Sequence, residues 1–97
     1  MKQQGSLSKD QEINIRKLEI QASVLFSMRR TSTTELDIEN TVQDIISEFY
    51  QIPQEKIIKA IRIGSLGKYG LTYKLTTQQI CIWIREFIKE EVKKRQL

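Results

Sequence analysis

Seven side chains in the second half of the chain could act together chemically: Lys56, Lys59, Arg62, Lys68, Tyr69, Tyr73 and Lys74. Their chemistry is that of binding. Ammonium and guanidinium groups attract phosphates and carboxylates, and phenol rings stack on bases or fill apolar pockets. The set is the candidate surface for a protein partner or for single-stranded nucleic acid. For each tyrosine an alternative stays open, in which the ring packs beneath its loop and the hydroxyl reaches water.

The residues that most reactions need are scarce. The chain has no histidine and a single cysteine, Cys81. Those counts exclude an imidazole base, a triad containing histidine, a Cys/His zinc site and an intrachain disulfide. Gly64-Ser-Leu-Gly67-Lys68 invites comparison with a nucleotide-phosphate loop and fails it. Such a loop has four residues between its first glycine and the Gly-Lys pair, then Ser or Thr. Here only Ser65 and Leu66 intervene, and Tyr69 follows. Carboxylates are the remaining route to acid–base work, but they gather around helix two with no pocket legible beside them. Cys81, between Ile80 and Ile82, reads as a small buried hydrophobe, and Trp83 as core. The chain is read as non-enzymatic, with no catalytic residue, metal or cofactor expected.

These residues need a scaffold. Ninety-seven residues with 39% apolar and 29% charged content suit one globular domain over 1–97. Residues 1–8 and 93–97 are expected to fray. A lone cysteine, no apolar run near the roughly 20 residues of a membrane span, and no signal-like start suggest a cytoplasmic protein that binds no membrane.

The spacing of apolar residues predicts four helices. Ser8 and Gln11 can cap the first. Ile15, Leu18, Ala22 and Leu25 mark its apolar face, widened by Ile20, Val24, Phe26 and Met28, and Arg29-Arg30 suit its last turn. That breadth also allows a homodimer through this helix. Ser32 with Glu35, or Thr34 with Asp37, can open the second, which runs to about Tyr50 along Ile38, Val42, Ile45, Ile46 and Phe49. Pro53 suits the first position of the third, which buries Ile57, Ile58, Ala60 and Ile61. Lys56, Lys59 and Arg62 form a neighbouring exposed stripe. Gly64 is expected to stop this helix.

Between helices three and four an ordered loop rich in Gly and Tyr is expected. Gly64, Gly67 and Gly70 fit positions of positive φ. Leu71, Tyr73 and Leu75 alternate with Thr72 and Lys74, which predicts a short extended piece whose apolar side lies on the helices. Thr76 and Gln79 form a capping box, with Leu75 and Ile80 as its hydrophobic staple. Ile80, Trp83, Ile84, Phe87 and Ile88 then line one face of helix four, and Ile82 falls on the opposite side. The fold class is a small all-α, four-helix domain.

Charge is uneven along the chain. Residues 31–52 carry Glu35, Asp37, Glu39, Asp44 and Glu48 and no cation. Residues 53–75 carry five cations against Glu55 alone. The basic segment is the better candidate for facing phosphate. A helix-turn-helix across Gln51-Ile-Pro53 has the right link length. However, helix three is short, the turn lacks glycine, and the exposed side of helix four is of mixed charge.

The stretch Ala60-Ile-Arg-Ile-Gly-Ser-Leu-Gly-Lys-Tyr-Gly-Leu-Thr-Tyr-Lys-Leu-Thr-Thr-Gln-Gln-Ile-Cys-Ile-Trp-Ile-Arg-Glu-Phe87 resembles small uncharacterised proteins of Bacteroidetes prophages and mobile elements. It also resembles the helical domains of phage helicase loaders and replisome organisers. The resemblance covers about residues 38–88 and rests on Ala60, Arg62, Gly64, Gly67, Tyr69, Gly70, Tyr73 and Trp83. It implies an adaptor of phage or mobile-element DNA replication that binds a protein such as a replicative helicase, with DNA as a second partner. It supplies no catalytic residue. A small nucleic-acid-binding transcriptional regulator and a structural homodimer without ligand are the alternatives.

Overall fold

A computed structural model describes residues 9–96, and over these the chain is all-helical, with four helices and no strand. They are α1 (Lys9–Arg30), α2 (Ile38–Glu48), α3 (Gln54–Ser65) and α4 (Thr77–Gln96). The expectations for residues 1–8, including the Ser8 cap, lie outside the described residues, as does Leu97. α4 continues through Lys93, Lys94 and Arg95, whose cations face the negative end of the helix dipole.

α3 is the central helix. It packs against α1 along one flank and α4 along the other, and α2 touches both α1 and α4. Ile57, Ala60, Ile61 and Gly64 recur at helical spacing and form its buried face. They belong to one buried core with Ile20 and Val24 of α1, Val42, Ile45 and Phe49 from α2 and its end, and Ile80, Trp83, Ile84 and Phe87 of α4. Each large side chain so buried contributes about 1.5–3 kcal/mol, opposed by the chain entropy lost on folding.

The buried face of α1 is centred on residues expected only to widen it, Ile20 and Val24. Ile20, Val24 and Ser27 are fully buried and lead into buried Thr31, whereas Ile15, Leu18 and Ala22 are exposed. A count of apolar residues ranks this face second because a serine completes it. Ser27 Oγ lies 2.7 Å from Ser65 Oγ, which in turn lies 2.6 Å from the carbonyl of Ile61, so the hydroxyl is satisfied inside the α1–α3 contact.

Caps also differ in detail. α2 begins at Ile38, and its cap is Asp37, whose carboxylate accepts from the N–H of Asn40 at 3.1 Å. Ser32 and Thr34 do not cap it. Pro53 is the cap residue of α3 rather than its first helical position, and its carbonyl accepts from the N–H groups of Lys56 and Ile57. Thr76 caps α4 as expected, accepting from the N–H of Gln79 at 3.1 Å.

Two helices end in the same way. At the end of α3 the N–H of Lys68 donates to the carbonyl of Ile63 and that of Gly67 to Gly64, with Gly67 at φ 95. This is a Schellman ending with glycine at its left-handed position. At the end of α1 the N–H of Thr33 donates to Met28 and that of Ser32 to Arg29, with Ser32 at φ 54. A serine here takes the place that favours glycine. Gly64 is therefore not the stop of α3. It lies inside the helix, and its lack of a side chain serves packing against Trp83.

Candidate binding surface

The stripe of cations on α3 splits as the helix turns. Lys56 leans towards α4 and pairs with Glu91 at 3.0 Å. That hydrogen bond, aided by the nearby charges of Lys94 and Arg95, holds the Glu91 carboxyl below its ordinary range. Arg62 leans the other way, and its guanidinium stacks 5.5 Å from the ring centroid of Phe26 on α1. Arg30 approaches the same ring at 6.0 Å. Lys59 lies between them, exposed, with no ion pair among the described residues.

The residues after Gly67 divide as well. Lys68 pairs with Glu90 at 3.4 Å, and the hydroxyl of Tyr69 donates to the same carboxylate at 3.1 Å. Lys68 Nζ also lies 5.9 Å from the Tyr69 ring centroid. Burial of the Tyr69 phenol first, then the Glu90 hydrogen bond and the charges of Glu90 and Glu86, pushes its pKa up to about 12. Tyr69 thus follows the packing alternative, ring inward and hydroxyl on an acceptor of α4.

Tyr73 and Lys74 stand apart. Tyr73 is 86% exposed and Leu71 81%. The extended piece expected at 71–75 is not formed, and of its three apolar residues only Leu75 enters the core. The physical reason is that the chain is held on either side of this piece, at Tyr69 and at Leu75, and not between them. The N–H of Leu75 donates to Thr33 Oγ1 at 2.8 Å, in a buried bond spanning 42 positions. Thr33 and Thr31 share a hydroxyl contact of 2.8 Å, and Thr31 Oγ1 donates to the carbonyl of Ser27 at 2.8 Å. Each hydroxyl has one proton, so the direction is set: Leu75 N–H to Thr33, Thr33 to Thr31, Thr31 to Ser27. No apolar contact holds Leu71 or Tyr73 in the core, and both project from the 66–76 segment.

Tyr73 and Lys74 border a shallow hollow of about 220 Å³ with Ser32, Thr33, Thr34 and Glu35. Its lining thus includes the left-handed Ser32 and Thr33, the hydroxyl that holds Leu75. Of the seven expected residues, Lys56, Lys68 and Tyr69 are drawn to α4 carboxylates, and Arg62 to Phe26. Lys59, Tyr73 and Lys74 face solvent with no such partner among the described residues, and Arg62 and Lys68 stay exposed beside theirs. Leu71 was assigned to the core by its alternation and belongs instead with Tyr73. Phe26, read as widening the α1 face, is the aromatic between two arginines. Thr33 carried no signal in the sequence beyond its place in a capping cluster.

Cys81 is buried as expected, and that burial raises its thiol pKa. Trp83 is fully buried. No described helix is long and apolar enough to cross a membrane. Comparison with protein-family models, with curated proteins and with solved structures returns no match.

Proposed function

We propose that this chain is a non-enzymatic adaptor that docks a protein partner through the tip formed by Leu71, Tyr73 and Lys74. The observation that carries this reading is the projection of Leu71 and Tyr73 into solvent from a segment fixed at Leu75. Two large apolar groups beside one ammonium suit a partner pocket that is apolar within and acidic at its rim. The pairing of Lys56 and Lys68 with α4 carboxylates supports a protein partner over nucleic acid, since those carboxylates offset the positive charge that attracts phosphates. The setting, replication of a phage or mobile element with a replicative helicase as partner, rests on the resemblance of residues 60–87.

The test is binding of a purified replicative helicase to the wild type and to Leu71→Ser/Tyr73→Ser. Ile82→Ser on the exposed side of α4 is the control. Loss of binding in the double variant alone, with thermal stability unchanged, is the expected outcome. Equal loss in the control, or no binding by the wild type, would refute the reading.

One observation favours a second reading, direct binding of single-stranded nucleic acid. Phe26 lies between Arg30 and Arg62, with exposed Lys59 one turn before Arg62 on α3. Stacked bases and phosphates suit such a group. Affinity for a labelled oligonucleotide that falls steeply with salt and is lost in Phe26→Ala/Arg62→Gln would move the function to this site.

A further inference from the structure

α1 has two apolar faces. At about 100° per residue, the buried stripe of Ile20, Val24 and Ser27 lies roughly 180° from the stripe of Ile15, Leu18, Ala22 and Leu25. The second stripe alternates steps of three and four residues, which is the seam of a two-stranded coiled coil. Most of it faces solvent: Leu18 is 63% exposed and Ile15 42%, while Leu25 is half-buried.

The start of the helix is also uncovered. Lys9 and residues 11–15 are all exposed, including Ile13 at 49% although it lies on the core side of the helix. Arg16 ties this end of the helix to the body, through bonds from its guanidinium to the carbonyls of Phe49 and Ile52.

We propose that a second copy of this chain covers the seam, with the two α1 helices antiparallel about a two-fold axis. One register uses every layer. Ile15 meets Leu25 of the other copy, and Leu18 meets its Ala22, so large residues face a γ-branched or a small one throughout. The symmetry repeats both layers, as an isologous interface requires.

Charge selects the antiparallel direction. Arg29 continues the same seam and Arg30 adjoins it. A parallel pair would set Arg29 against Arg29. The antiparallel pair sets Glu12 beside Arg29 and Arg30 of the other copy instead. It also lays the exposed residues 11–15 of one α1 along the hollow of about 470 Å³ bordered by Leu25, Met28, Arg29 and Ser32–Thr34 of the other. One like-charge contact remains, Glu19 near Glu19 at the dyad. Arg62 borders the same hollow as Glu19 in each copy and supplies the countercharge.

The experiment is sedimentation equilibrium of the full chain over a wide concentration range, with Leu18→Glu as the test variant and circular dichroism as the check on folding. Leu18 is exposed, so the variant keeps its helices. The wild type is expected to reach twice the monomer mass, and Leu18→Glu to weaken that association at least about 100-fold, because a carboxylate would be buried unpaired in two layers. Glu19→Gln is expected to tighten it. Direction is read by disulfide formation in a Cys81→Ala background. A mixture of Ile15→Cys and Leu25→Cys chains is expected to give the mixed dimer. A monomeric wild type at the highest concentration, a dimer indifferent to Leu18→Glu, or cross-linking of Ile15→Cys chains to themselves would overturn the proposal.

Discussion

Gly64 of α3 lies against the indole of Trp83 in α4, so close that a Cβ at position 64 would overlap three ring carbons. The indole is fully buried and cannot swing aside. Overpacking of this kind costs about 1–3 kcal/mol. Gly64→Ala is therefore expected to lower the Tm, by roughly 4–8 °C for each kcal/mol in a domain of this size, and to change the tryptophan emission. Unchanged emission and Tm would show that α3 and α4 do not meet at this point.

The two Schellman endings make opposite expectations. Nothing lies within 4 Å of a Cβ at Gly67, so Gly67→Ala meets only the cost of φ 95, about 1 kcal/mol. Ser32 already bears that cost at φ 54. Ser32→Gly is expected to stabilise the domain by about 0.5 kcal/mol, the relief being partly offset by the greater freedom of glycine in the unfolded chain. Urea denaturation of both variants measures the pair.

Thr33→Val keeps the shape of the side chain and removes the acceptor for the Leu75 N–H. A buried donor left without a partner costs about 1–3 kcal/mol. Thr33→Ser keeps the hydroxyl chain and should cost well under half as much. Amide hydrogen exchange gives the specific readout: the Leu75 N–H is expected to lose protection in the valine variant and keep it in the serine variant.

Stability should also fall at high pH through Tyr69. Its folded pKa is raised from 10.0 to about 12, so the fold favours the neutral phenol. The stabilisation is complete below the unfolded value and is lost as pH rises through the window between the two values. Denaturant unfolding from pH 9 to 12 should show this decline in the wild type, and Tyr69→Phe should flatten it. Glu91 acts at the other end of the scale. Lys56 lowers its pKa, so its contribution is present above the unfolded value and is lost as pH falls through the folded one.

Much of the scaffold was legible because apolar spacing and caps are local signals. The α2 stripe, the Thr76 cap, the burial of Trp83 and Cys81 and the exposure of Ile82 all follow from it. The buried face of α1 ranked second because Ser27 is a core residue whose partner, Ser65, lies 38 positions away. Gly64 looked like a helix stop because proximity to Trp83 cannot be seen in a linear chain, whereas Gly67 performs that role. For the surface, residue types were legible but their partners were not. Glu90 and Glu91 lie on α4, 22 and 35 positions from Lys68 and Lys56, and take up Lys56, Lys68 and Tyr69. Alternation placed Leu71 and Tyr73 inside, but a period of two buries side chains only where a neighbouring surface covers the segment.

The most direct measurement compares helicase binding by Leu71→Ser/Tyr73→Ser and by Lys56→Gln/Lys68→Gln under identical salt. Loss of at least about 10-fold in affinity is expected for the first, and a change within about 2-fold for the second, whose cations serve α4 at the surface. The reverse order would contradict the assignment of binding to the tip and return it to the basic stripe.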